Sequence, residues 1–397
     1  MNSMKKFQIK NWLVKTSSIL LVILMAVSCN QDVPLPEPIP AAPIVGNSIG
    51  NIISTDPSFS ILKAAATKAG LMPVLSDSTL SMTLFAPDDA AFAASGIPNA
   101  GVIAALRAGF LDTVLRYHMV SQKLSSTQIG NTFPNRQSPS FLNPAPTLSF
   151  LLRLTNFPTT RNGAWINTIP MKQVDIPASN GFIHKVFAIV QPPQRFLWNR
   201  ISTDPNLTYL TAAIQRADSG YVPTSSSSLV GALNNIGANL TVFAPVDSSM
   251  RAFLTGAIYL GLVAQGVPPA TAIAQATFLA STPAVFTNPA LYAALPAIQV
   301  RGIVVYHMLK QRAFTNNFPT TTTSYPTLLN DGVPLHPGVA LTAVFGTPFV
   351  TSATVKGAAN ATASTIYINP TPDPAGTSDQ HFVNGVLQKI NQVLLPQ

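Results

Sequence analysis

Two domains in tandem, each mixing helices with strands, are predicted by three observations. The composition supports more than one packed core, an ordered set of landmarks occurs twice, and each copy alternates helical and strand signals. The chain has 397 residues, 47% apolar and only 9% charged. That balance opposes disorder, which needs low hydrophobicity and high net charge. The length suffices for two domains that each bury a core. The 35 prolines, many in loops or in one N-terminal run, speak against an all-helical protein.

Residues 1–28 read as an export leader. A basic start carrying Lys5, Lys6, Lys10 and Lys15 precedes the apolar run Ile19 to Val27. That run is too short to cross a hydrocarbon layer of about 30 Å. Ala26-Val27-Ser28-Cys29 resembles a lipobox, and Cys29 is the only cysteine in the chain. A lone cysteine cannot form an internal disulfide, so lipidation accounts for it better than a covalent staple, with a plain secretory leader as the alternative. Attachment of more than one acyl chain would hold the protein firmly on a membrane. Asn30 follows the cysteine, and by the sorting rule of some Gram-negative lipoproteins this points to the outer membrane. The protein would then be surface-exposed or face the periplasm. From 29 to 46 runs a tether whose alternate prolines (Pro34, Pro36, Pro38, Pro40) impose an extended, semi-rigid spacer.

The repeat begins with Ile53-Ser54-Thr55-Asp56-Pro57, which returns as Ile201-Ser202-Thr203-Asp204-Pro205. Apolar positions at helical spacing follow each, so the aspartates are expected to cap helices. Thr83-Leu84-Phe85-Ala86-Pro87-Asp88-Asp89 returns as Thr241-Val242-Phe243-Ala244-Pro245-Val246-Asp247. β-Branched and aromatic residues predict a strand there, closed by Pro87 or Pro245, with Asp89 and Asp247 capping the next helix. Tyr117-His118 returns as Tyr306-His307. Asn180-Gly181, three residues before His184, returns as Asn384-Gly385 ahead of Gln388. Asn-Gly between apolar runs signals a hairpin. Four landmarks in one order twice define a duplication, with domains over 47–194 and 195–397.

These residues resemble the fasciclin (FAS1) domain: a Phe-Ala-Pro strand end, a central Tyr-His pair and a closing Asn-Gly-x-Ile-His. The first copy is similar over Thr83 to Phe92, Val114 to Val120 and Asp175 to Pro192. The second departs at Met250, where the pattern has the counterpart of Phe92, and at Gln388 in the place of His184. The resemblance implies an α+β fold of two tandem fasciclin-like domains, each a β-sandwich or wedge flanked by helices. It also implies roles in adhesion and extracellular binding.

The second copy is longer between landmarks, and residues 252–300 contain no Asp, Glu, Lys or Arg. Prolines interrupt that stretch, which opposes a membrane span. It is read either as extra helices packed on the domain or as an apolar contact surface for a partner or a lipid.

Little catalytic chemistry is visible. The sole glutamate, Glu37, lies in the tether, and Asp88, Asp112, Asp175, Asp218 and Asp331 form no motif. His118, His184, His307, His336 and His381 show no metal-ligand spacing, and no nucleophile elbow or phosphate loop is present. His118 and His307 sit in apolar contexts that suit a hydrogen-bonded structural histidine. Catalytic residues, metal and cofactor are therefore expected to be absent. The formal charge of +9 falls to about +5 without the leader lysines and is scattered, so nucleic acid is not an expected partner. The expected function is a membrane-anchored interaction or adhesion protein that binds a surface protein, matrix component or glycan. A small-ligand or lipid-binding accessory of the envelope is the alternative, and an enzyme a remoter one.

Overall fold

The run Met82-Thr83-Leu84-Phe85-Ala86-Pro87 is buried at every position, the mark of a strand covered on both faces. A computed structural model describes residues 46–396 apart from Ala293, Pro334, Thr347 and Pro348. The leader, Cys29 and all of the tether except Gly46 lie outside the described residues.

In the first half, helices α1 (Ile49–Thr55) and α2 (Ser60–Lys68) lead to strand β1 (Met82–Pro87). Then follow α3 (Asp89–Ala94), α4 (Ala108–Tyr117) and β2 (Met119–Val120). The outer strands are β3 (Pro158–Thr159), β4 (Trp165–Ile166), β5 (Ile169–Ala178) and β6 (Gly181–Val186). They form one six-stranded sheet in the order β2-β1-β6-β5-β4-β3. Strand β1 runs parallel to β6, with Met82 opposite Gly181 and Pro87 opposite Val186. Period-two alternation sends Met82, Leu84 and Ala86 into the core under the helices. Phe85 faces the opposite core with Tyr117, Val120 and Val186.

The second half repeats this plan. Helices α5 (Leu197–Thr203) and α6 (Thr208–Ala217) precede β7 (Leu240–Pro245), and α7 (Asp247–Ala264), α8 (Pro269–Leu279) and α9 (Ala297–Tyr306) follow it. The remaining strands are β8 (Met308–Leu309), β9 (Thr323–Tyr325), β10 (Val339–Phe345), β11 (Val350–Gly357), β12 (Ser364–Thr365), β13 (Gln380–Phe382) and β14 (Gly385–Ile390). They make two sheets, β8-β7-β14-β13 and β9-β10-β11-β12. Strand β7 is parallel to β14 from Leu240 opposite Gly385 to Pro245 opposite Ile390, the register of β1 on β6. Leu240, Val242 and Ala244 enter the helical core. Phe243 packs on the other side against Val339, Leu341 and Val355 of the second sheet. The architecture is α+β, with sheets flanked by helices.

The uncharged stretch 252–300 forms most of α7, all of α8 and the start of α9. Leu254, Ile258, Ala272 and Ala276 are buried, whereas Leu260 is 67% and Phe278 77% exposed. It is a packed helical pair with an open apolar side.

Two local expectations need correction. Asp56 and Asp204 accept from the amides of Ser58 and Asn206 at 2.9 Å, as caps should. Asp89 and Asp247, however, open their own helices while capping the preceding ones. Asp89 accepts from Ile61 N at 2.8 Å and Asp247 from Tyr209 N at 3.1 Å, satisfying first-turn amides of α2 and α6. Helix α3 is capped instead by Asp88, which accepts from Ala91 N at 2.8 Å. The second correction is the hairpin. Ala178 pairs with Gly181, so the turn is Ser179-Asn180, one residue before the Asn-Gly pair. Asn180 is free for another task because its side chain points inward, and Gly181 is already strand. A Cβ there would collide with the Met82 carbonyl.

Candidate functional site

Helix α4 ends on Tyr117-His118 and α9 on Tyr306-His307, placing both pairs beneath the central strand. The Val190 amide donates to His118 Nε2 at 2.9 Å, so that nitrogen carries no proton. Nδ1 then donates to the Val114 carbonyl at 2.8 Å. His307 is held the same way, accepting from Leu394 N and donating to Ile303 O, both at 2.8 Å. Burial pushes each imidazole down to about 4. The backbone amides of Phe85 and Phe243 bond the carbonyls of His118 and His307 at 3.0 and 2.9 Å. Neither histidine has a ring nitrogen left for proton transfer or a metal.

The closing motif is equally occupied. Asn180 Oδ1 accepts from Ile49 N at 2.9 Å, and its Nδ2 donates to Leu75 and Asp77 carbonyls at 3.0 Å. Asn384 accepts from Leu197 N at 3.0 Å and donates to Leu233 O at 2.8 Å. Each asparagine ties the first helix of its half to the final hairpin. Pro87 and Pro245 end the central strands, where they meet Val186 and Ile390.

His184 and Gln388 make two matching bonds, and Gln388 Nε2 adds a third by donating to Asp379 Oδ1 at 2.7 Å. His184 Nδ1 accepts from Asp175 N at 3.1 Å, and Nε2 lies 2.8 Å from the Leu124 carbonyl. Gln388 Oε1 accepts from Asp379 N at 2.8 Å, and its Nε2 donates to Ala313 O at 3.2 Å. Asp175 and Asp379 both adopt positive φ. Each carboxylate accepts from the amide and hydroxyl of one residue, Ser126 or Thr315. Burial drives the Asp379 carboxyl upward and the His184 imidazole downward. Neither Asp175 nor Asp379 stands in a recognisable sequence motif. The shared nine-residue spacing to His184 and Gln388 was the available signal.

The larger omission was the seam where the halves meet. Asn317 is fully buried and donates to Thr132 O at 3.0 Å and Asn135 Oδ1 at 2.9 Å. It also accepts from Thr159 Oγ1 at 3.2 Å, and Asn316 donates to Asn167 O at 2.7 Å. Rings flank these amides: Phe133 lies on Tyr325 at 4.2 Å, and Phe157 on Phe314 at 5.9 Å. Arg312 and His381, bonded at 2.9 Å, close the far end under Phe157. Burial, then the Arg312 charge, holds His381 well below its usual value. A cleft of about 360 Å³ opens between Pro192, Pro193, Pro370 and His381. Among the described residues no group of His, Cys, Asp or Glu could hold a metal ion. No described helix is long and apolar enough to cross a membrane.

Among solved structures, a FAS1 domain pair from the insect cell adhesion molecule fasciclin I is similar over 84% of this chain and 95% of its own, at 14% identity and a TM-score of 0.33. The fasciclin domain model matches residues 57–192. The chain thus carries a fasciclin domain in its first half, and its second half is built on the same strand register and hydrogen bonds.

Proposed function

We propose that the chain is a membrane-anchored, extracytoplasmic interaction or adhesion protein rather than an enzyme. Its partner would be a surface protein, a matrix component or a glycan. The fasciclin domain over residues 57–192 carries this reading, because such domains are generally adhesion or interaction modules. The bonding of the motif residues supports it: His118, His184 and His307 spend both ring nitrogens on internal partners. Contact surface is available elsewhere, notably at a loop whose Leu148, Phe150 and Leu151 are each more than 70% exposed. Lipidated Cys29 and the proline-rich spacer would hold the pair away from an outer membrane.

The second reading, a lipid- or small-ligand-binding accessory, is favoured by the open apolar side of α7 and α8 at Leu260 and Phe278. Protease accessibility on intact cells, comparing wild type with Cys29→Ala, tests the proposal. Surface adhesion predicts digestion of wild type on whole cells and release of the variant into the soluble fraction. Unchanged membrane association of Cys29→Ala would sink the lipoprotein reading. Protection until the outer membrane is broken would move the accessory reading ahead.

A further inference from the structure

One hairpin of the first half carries a tip that belongs to none of the apolar cores. Ser138 and Pro139 pair with Asn156 and Thr155, and the chain between them loops outward. Leu148, Phe150 and Leu151 on that loop are each more than 70% exposed, and no core cluster includes them. A group of large apolar side chains held in water marks a contact surface. Its occupant is told by two further features, the bonding of the tip and the charge around it.

The tip ties its backbone to itself. Asn143 Oδ1 accepts from Ala145 N at 2.9 Å, and Asn143 Nδ2 donates to Ser149 O at 2.8 Å. Arg153 Nη1 donates to the Phe150 and Leu152 carbonyls at 2.6 and 2.8 Å. The amides of Leu148 and Ser149 bond Ala145 O at 3.0 and 3.3 Å, and Leu151 N donates to Ser149 Oγ at 3.2 Å. Peptide groups answered from within suit a medium that offers no hydrogen bonds, which is lipid. A protein or glycan would supply bonds of its own. The charge agrees, since no Asp or Glu occurs between Asp112 and Asp175. Arg153 at the neck of the tip and Arg136 at the base of the hairpin are exposed. Among the described residues neither pairs with a carboxylate.

We propose that this tip inserts into an anionic lipid surface, with Leu148, Phe150 and Leu151 among the acyl chains and Arg153 at the level of the phosphates. Apolar side chains backed by arginine are what an interfacial contact requires, the first for depth and the second for headgroup charge. The open side of α7 and α8 lacks the second part, because residues 252–300 contain no Lys or Arg. The inference goes beyond the adhesion reading and leaves a protein or glycan partner to other surfaces. It is independent of lipidation at Cys29.

The test uses the full chain carrying Cys29→Ala, so that no acyl chain contributes. The probes are vesicles of phosphatidylcholine alone and of phosphatidylcholine mixed with phosphatidylglycerol. Because Cys29 is the only cysteine, Leu148→Cys in that chain can carry a fluorophore that reports its surroundings. A blue shift on the mixed vesicles, larger than on phosphatidylcholine and reduced by salt, is expected. In co-sedimentation, Phe150→Ser with Leu151→Ser should weaken binding to mixed vesicles about tenfold or more. Arg136→Gln, which removes charge without touching the tip, should weaken it about fivefold. Leu260→Ser with Phe278→Ser should leave it unchanged. A tip fluorophore that stays in water on mixed vesicles overturns the proposal and leaves a protein as the occupant. So does vesicle binding that the tip serines do not weaken, and an equal blue shift on both kinds of vesicle removes the anionic assignment.

Discussion

The two halves share one hydrogen-bonded frame and differ in what fills it. In the first, Asp56 pairs with Lys185 at 3.3 Å near the surface. In the second, the corresponding Asp204 is buried and takes both Arg200, at 2.9 Å, and Lys389, at 2.5 Å. His184 in one half is Gln388 in the other, yet each accepts from the amide of an aspartate nine residues earlier and donates to a distant carbonyl, Leu124 O or Ala313 O. Thr83 and Thr241 each donate to a carbonyl at 2.6 Å and accept an amide at 2.8 Å. What is kept between halves is the placement of donors and acceptors, because a buried polar group without a partner costs about 1–3 kcal/mol. Residue identity is free wherever another side chain offers the same valence.

Substitutions can break that correspondence. The largest effect is expected from Gly181→Val, which drives a branched side chain into the Met82 carbonyl. It should destabilise the protein by more than about 4 kcal/mol in urea denaturation, among the exceptional values for single changes. Gly385→Val should act similarly, since a Cβ there meets the Leu240 carbonyl and Leu197.

Acidification comes next. His118 and His307 have folded values of about 4 against 6.5 for the free side chain, because burial disfavours the charged ring. Between those values the unfolded chain binds more protons than the native one, so stability falls as pH drops from about 6.5 to about 4. The loss reaches about 3 kcal/mol per histidine by the low end. His184 and His381 shift the same way, and Asp379, whose carboxyl is raised by burial, opposes them. Melting temperatures across this window check the sign. A flat profile would mean the rings are not held neutral.

At the seam, Asn317→Ala strands Asn135 and the Thr132 carbonyl and should cost about 2–3 kcal/mol. The smallest effect is expected from His184→Gln, which imports the arrangement of the second half. A loss below about 1.5 kcal/mol sharpens the comparison, whereas a loss as large as that of Asn317→Ala would break it.

Sequence made the central strands legible, because Thr-x-Phe-Ala-Pro recurs and strands buried on both faces read as unbroken apolar runs. The Tyr-His pairs were legible as structural for a similar reason: their neighbours are apolar. The asparagine turn was displaced by one residue, since the Asn-Gly signal cannot reveal that Asn180 bonds Ile49 across the fold. The seam was invisible. Asn135, Asn316 and Asn317 look like ordinary loop residues, and only the meeting of two halves buries them. Arg312 hid likewise, as one base in a scattered set.

The polar seam is expected to join the two halves into one cooperative body. Scanning calorimetry of the whole chain tests it most directly. One transition, with calorimetric and van't Hoff enthalpies equal, is predicted for wild type, and Asn317→Ala should lower it or split it. Two separate transitions in wild type, with Asn317→Ala leaving both in place, would contradict the account.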